Sequence, residues 1–140
     1  MLADKMKLTH FLSILFVSCA YSADPIDVLI NKTWISDKSE TVNWLTKHRP
    51  NMLKNNKLLE IFGKMSLKFT KTEILFKNGD DNETQPHKIL GQTAREIGFI
   101  TKDTLLNRDV IVVIEIDEDE KGYWIYSNQF DIKEHFIPIQ

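Results

Sequence analysis

From Lys64 to the C-terminus the side chains alternate with a period of two, in short runs divided by turn-forming residues, and this pattern restricts the fold more than any other feature. Met65, Leu67 and Phe69 alternate with Lys64, Ser66 and Lys68, which is how a half-buried strand shows one face to a core and the other to water. Further strands are predicted over residues 73–77, 87–93, 96–101, 109–116, 123–127 and 132–137. Their separators carry turn residues: Asn78-Gly79-Asp80-Asp81-Asn82, Asn107-Arg108-Asp109, Glu120-Lys121-Gly122 and Asn128-Gln129. Connections this short cannot hold crossover helices, so neighbouring strands should pair antiparallel as a meander. The strand from Val110 to Ile116 is apolar on both faces near its centre and is expected deep in the sheet. A sheet of seven or eight strands hides its edges by curling into a barrel.

Upstream the period is different. Asp24-Pro25 opens a short apolar segment, Ile26 to Ile30, read as one helical turn leading into a strand at Thr33-Trp34-Ile35. Asp37-Lys38-Ser39-Glu40 fits a capping box, in which Asp37 accepts an amide hydrogen bond while Glu40 reaches back. Val42, Trp44 and Leu45 give the following helix an apolar side before Pro50 interrupts it. A second helix is predicted from Met52 to Phe62, with Gly63 as its C-cap. The expected class is therefore α+β and mainly antiparallel β: a seven- to eight-stranded meander curled into a barrel, with two short helices between the first and second strands.

The N-terminus reads as an address. Met6-Lys7 opens a short basic stretch, and the run from Phe11 to Ala20 is apolar, the n-region and h-region of a secretory signal peptide. About ten apolar residues are too few for a helix across the hydrocarbon core, which needs ~20. Small residues at Ala20 and Ser22 suit signal peptidase, with Ala23 a second choice. Residues 1–23 are therefore expected to be removed, leaving 24–140 as one domain of about 117 residues. The Lys-, Asn- and Ile-rich composition suits a bacterium, so the destination is read as periplasmic or secreted. Cys19, the one cysteine, opens an alternative. Phe16-Val17-Ser18-Cys19 resembles a bacterial lipobox, which would make Cys19 a lipidation site and tie the protein to a membrane. Ordinary cleavage would instead remove Cys19 and leave a fold with no disulfide, dependent on its core.

Residues 1–23 hold Lys5, Lys7 and Asp4, so the 18 basic and 20 acidic residues of the whole chain fall to 16 and 19, a net charge of −3. The longest like-charge block is Asp117-Glu118-Asp119-Glu120, a solvated turn without an EF-hand's spacing. A basic face for nucleic acid is not expected.

With its leader, helical lead-in, tryptophan in the first strand and antiparallel meander, the chain resembles a lipocalin-like protein of the calycin type. Trp34 carries the motif position, within Lys32-Thr33-Trp34 where lipocalins usually have Gly-x-Trp. The resemblance implies a barrel that holds a small apolar ligand.

No residue pattern points to catalysis. His48, His87 and His135 lack a second His or Cys at ligand spacing, so no metal or other cofactor is expected. There is no Gly-x-Ser-x-Gly elbow and no phosphate loop. The best material for a site is aromatic: Trp34, Tyr123, Trp124 and Tyr126 are large amphipathic groups that suit a core or a recognition surface. On the strand 123–127, Tyr123 and Ile125 share one face, Trp124 and Tyr126 the other. Two functions follow as expectations: an exported carrier of a small apolar ligand, or a cell-envelope module that binds another protein, such as an enzyme inhibitor or immunity protein.

Overall fold

The structure is a computed structural model that describes residues 24–103, 107–127 and 131–140. The expected signal peptide 1–23, with Cys19, and the expected turn Asn128-Gln129 lie outside the described residues. Eight strands are described: β1 (Thr33–Ser36), β2 (Met65–Phe69), β3 (Glu73–Asn78), β4 (Asp81–Gln92), β5 (Glu96–Asp103), β6 (Arg108–Ile116), β7 (Tyr123–Ser127) and β8 (Ile132–Pro138). Each pairs antiparallel with the next, and β8 pairs back onto β1 through Ile35 and Ile137, closing the barrel. Closure gives each described strand a hydrogen-bonded neighbour on both sides.

The alternation read in the sequence is the alternation of the wall. Leu67 and Phe69 of β2, Ile74 of β3, Ile97 and Phe99 of β5, and Ile114 and Ile116 of β6 point inward and are buried. β4 begins at Asp81 rather than His87, so three of the five residues expected as a turn, Asn78, Asp81 and Asn82, belong to the ladder. Asn78 pairs with Asp81 across a two-residue turn, and Gly79 supplies its positive φ of 65°. Farther along β4 the register shifts between Ile89 and Gly91, a bulge that leaves Leu90 outside and 53% exposed.

Three α-helices and one 3-10 turn complete the described chain. Helix α1 (Pro25–Leu29) begins on a proline, whose missing N–H costs nothing at that position. It drives Ile26 and Leu29 into the barrel core, where the Trp34 indole N–H donates to the Leu29 carbonyl at 3.0 Å. Helix α2 (Lys38–His48) starts where the capping box put it, with the Asp37 carboxylate accepting from the Glu40 amide at 3.2 Å. The single second helix expected from Met52 is split in two. Pro50 starts a 3-10 turn (Pro50–Lys54), and Asn55 leaves helical geometry to cap α3 (Asn56–Ile61) by accepting from the Leu58 amide.

Helix α2 lies against the outer face of β8. Asp37 donates its amide to the His135 carbonyl at 2.8 Å, and the Thr41 hydroxyl accepts from the His135 amide at 3.0 Å. Leu45, Phe62 and Ile132 form a second small core with Trp44, Met52 and Leu58 around them. β6 departs from its expectation of deep burial. Ile111 is 49% exposed and Val113 only half-buried, because the wall is a single layer and none of the described helices covers the outside of this strand.

Candidate functional site: the barrel interior

The two halves of the barrel interior are built differently. Around α1, large rings fill the space: Trp34 meets Tyr123 edge-on at 4.8 Å, Tyr123 stacks on Phe136 at 5.3 Å, and Phe69 lies 6.1 Å from Phe99. Such pairs add about 0.5–1.5 kcal/mol each beyond their buried area. Lys32 closes this end from outside, its ammonium 5.6 Å from the Trp34 ring centroid.

Toward the other end the same strands carry smaller or more widely spaced side chains, and the interior opens into a cavity of about 520 Å³. That is within the ~300–1,000 Å³ of small-molecule pockets. Ten apolar residues line it, among them Met65, Phe76, Val112, Ile125 and Ile132. β1 ends and β2 begins at this end, so the segment of α2, the 3-10 turn and α3 leaves and re-enters the barrel here. Ile132 joins the two regions, since it lines the cavity and also belongs to the small core under α2.

Five polar residues interrupt the apolar lining: Glu83, Gln85, Thr101, Asp103 and Glu134. Four of them are grouped on β4 and β5. The Gln85 amide donates to Glu83 at 2.9 Å, and the Thr101 hydroxyl donates to the Pro86 carbonyl at 3.0 Å. Glu83 is exposed, so the cavity reaches the surface on that side. Glu134 stands apart, on β8 and inside. The Ser36 hydroxyl donates to its Oε1 at 2.5 Å, and Ser36 Oγ in turn accepts the Gly63 amide at 2.8 Å. This chain needs Gly63 in its left-handed conformation, with φ at 88°. Burial pushes the Glu134 carboxyl above its ordinary range, and the Ser36 hydrogen bond offsets only part of that. Burial likewise holds the Tyr123 phenol well above its usual value, with the Glu134 charge adding to the effect.

The four aromatic residues singled out in the sequence are not brought together in this cavity. Trp34 and Tyr123 are fully buried in the filled half of the interior. Trp124 and Tyr126 share the outer face of β7, half-buried, where they flank a shallow groove with Val113 and Lys133. Trp124 packs on the His135 ring at 4.7 Å, and the Tyr126 hydroxyl donates to Asp131 at 2.8 Å. Sequence reasoning passed over the cavity's polar groups because Glu83, Gln85 and Glu134 read individually as surface residues. Parity was the available signal: Glu134 lies two residues from Ile132 and from Phe136, on their face of the strand.

Outside the cavity, His135 lies between two carboxylates. Its Nε2 is 2.8 Å from Asp117 and its Nδ1 3.3 Å from Asp37. The carboxylates face opposite ring nitrogens, so no point lies within reach of all three as a shared metal would require. The arrangement ties β8 to the start of α2 and to the turn after β6. Among the described residues no helix is long and apolar enough to cross a membrane.

No protein-family model, no curated protein and no solved structure matches this chain. Its functional reading therefore rests on the barrel and what the barrel encloses.

Proposed function

We propose that this protein is a carrier that holds a small, largely apolar molecule inside its barrel. The observation that supports the reading is the cavity itself: 520 Å³ of space walled mainly by aliphatic and aromatic side chains, in a barrel whose opposite half is packed with rings. A barrel selected only for stability would fill both halves, because side chains packed into the hollow would remove more apolar surface from water and add contacts. The asymmetry fits an interior kept for a guest. Recognition would come mostly from burial, at about 25 cal/mol per Å² of apolar surface removed from water, with the polar groups on β4, β5 and β8 setting orientation.

The leader-like residues 1–23 make an exported carrier, periplasmic or secreted, part of the same proposal, with the membrane involved only through a lipidated Cys19. The groove beside Trp124 and Tyr126 supports a second reading, a protein-binding face directed at another envelope protein. The cavity favours the first.

Val112 lies midway along the inner wall of β6, so the substitution Val112→Trp fills the cavity from one side. Protein purified from its own compartment should carry a small molecule detectable by native mass spectrometry, and Val112→Trp should carry at least about tenfold less. That factor corresponds to roughly 1.4 kcal/mol. Equal retention by a variant with unchanged circular dichroism would sink the carrier reading.

A further inference from the structure

The outer face of β4, β5 and β6 is apolar and open. Strand pairing sets Ile100 beside Ile111, with Gly91, Gly98 and Val113 side by side in the next row. The bulge adds Leu90. Leu90 and Ile111 are exposed, while Ile100 and Val113 are half-buried. The described helices lie elsewhere, α1 in the barrel core and α2 against β8. The two glycines hollow the middle of this face. A Cβ on Gly91 would meet no atom within 4 Å beyond its chain neighbours, and one on Gly98 only the Gly91 carbonyl at 3.8 Å. Glycine inside a strand weakens it and suits a place where another chain comes close. The charges around this apolar centre divide by end. Lys88 and Lys102 stand toward the β5–β6 connection, Glu96 and Glu115 toward the opposite end. Lys88, Lys102 and Glu96 make no ion pair among the described residues.

We infer that this face packs against the same face of a second copy, about a two-fold axis that crosses β5 near Phe99. The charges select both the occupant and its orientation. Phe99 lies midway between Glu96 and Lys102 on β5, so reversing the strand about that point sets Lys102 of one protomer against the partner's Glu96, and Glu96 against the partner's Lys102. The same operation lays Ile100 over the partner's Gly98, where no side chain stands in the way. Because Val112 pairs with Phe99, it also lays Ile111 over the partner's Val113. A two-fold axis along the strands would instead bring lysine to lysine and glutamate to glutamate. Asp109 approaches the partner's Glu115, and each has a lysine at its side: Lys102 opposite Asp109 in the β5–β6 register, and Lys133 at 2.9 Å from Glu115. Such a contact uses one patch on both protomers and closes on itself, so assembly stops at the dimer. An apolar centre with a charged rim is the usual make-up of a protein interface. The wall is convex, so the contact spans few strands and the association is weak, in the micromolar range. The face lies outside the barrel, so the inference is independent of what the cavity holds.

Sedimentation velocity of protein purified from its own compartment, from about 1 to 200 µM at low salt, should show monomer passing to dimer as concentration rises. Ile111→Lys, a change at an exposed position, should raise the dissociation constant at least about tenfold by placing a charge in the apolar centre. Lys102→Glu and Glu96→Lys should each raise it at least about threefold, because each sets like charges together twice in the dimer. The double variant restores opposite charges across the axis and should return to within about twofold of wild type. That recovery is the signature of the two-fold arrangement. Monomer at every concentration overturns the inference and leaves the face to another protein or to residues 1–23. A dimer that Ile111→Lys leaves intact overturns it as well, as does a double variant that associates no better than the single ones.

Discussion

At the scale of single residues, Glu134 and Gly122 carry the sharpest consequences. Because burial raises the Glu134 carboxyl in the native state, folding tightens its hold on a proton. That contribution is fully present below the ordinary glutamate value, about 4.3, and is lost as pH rises through the higher native value. Wild type should therefore lose stability relative to Glu134→Gln across that window, by at most about 1.4 kcal/mol per pH unit. Urea unfolding of both proteins at pH 4.5, 5.5 and 7 measures this, and parallel curves at all three would contradict the burial of the charge. Gly122 is a steric matter. A Cβ there would stand 2.6 Å from the Asp117 carboxylate and 2.7 Å from His135 Nε2, closer than atoms pack. Gly122→Ala should push the two apart and destabilise the fold by about 1–3 kcal/mol. A midpoint within experimental error of wild type would show that the Asp37–His135–Asp117 contacts hold little.

At the scale of elements, the helical segment is secured by few residues. α2 buries Thr41 and Leu45 along one side, and Leu45 is the centre of the small core with Phe62 and Ile132. Leu45→Ala should cost about 2–4 kcal/mol, and the near-ultraviolet signal of Trp44 should change with it; an unaltered spectrum and stability would mean that the helices are held by something else. How far these elements could be read in advance depended on whether the deciding information was local. The Asp37 cap, the parity of β7 and the proline start of α1 are encoded within three or four neighbouring residues, and all were legible. The break at Asn55 was not, because a strong N-cap residue inside an apolar pattern competes with continuation of the helix on nearly equal terms. The early start of β4 was hidden because Asp81 and Asn82 are turn formers by composition, and pairing with Asn78 and Lys77 overrides that preference. The open outer face of β6 depended on where the helices docked, which no residue of β6 records. The cavity was the least legible feature, since it is the space between side chains from seven strands.

At the scale of the whole molecule, the interior divides into a ring-packed half and a hollow half, and stability should divide with it. Backbone amides of Phe69, Phe99, Tyr123 and Phe136, which surround the packed half, should exchange with solvent only on global unfolding. Those around the cavity mouth, near Glu83 and Asp103, should exchange through smaller openings and become protected when a guest binds. Uniform protection along each strand, with or without guest, would argue against a hollow interior of functional use.

The closure of β8 onto β1 has a kinetic meaning of its own. Seven of the eight pairings join strands consecutive in the chain, whereas Ser36 and Glu134 meet across 98 positions. Consecutive hairpins can form early, but the seam must wait for nearly the whole chain and bears a loop-closure entropy that grows as (3/2)RT ln n, about 4 kcal/mol for such a span. The step that completes the barrel is thus the step that sets Glu134 against Ser36. A partly folded molecule is an open, curved sheet with two exposed edges and no enclosed interior, so the capacity to hold a guest arrives only with the last strand.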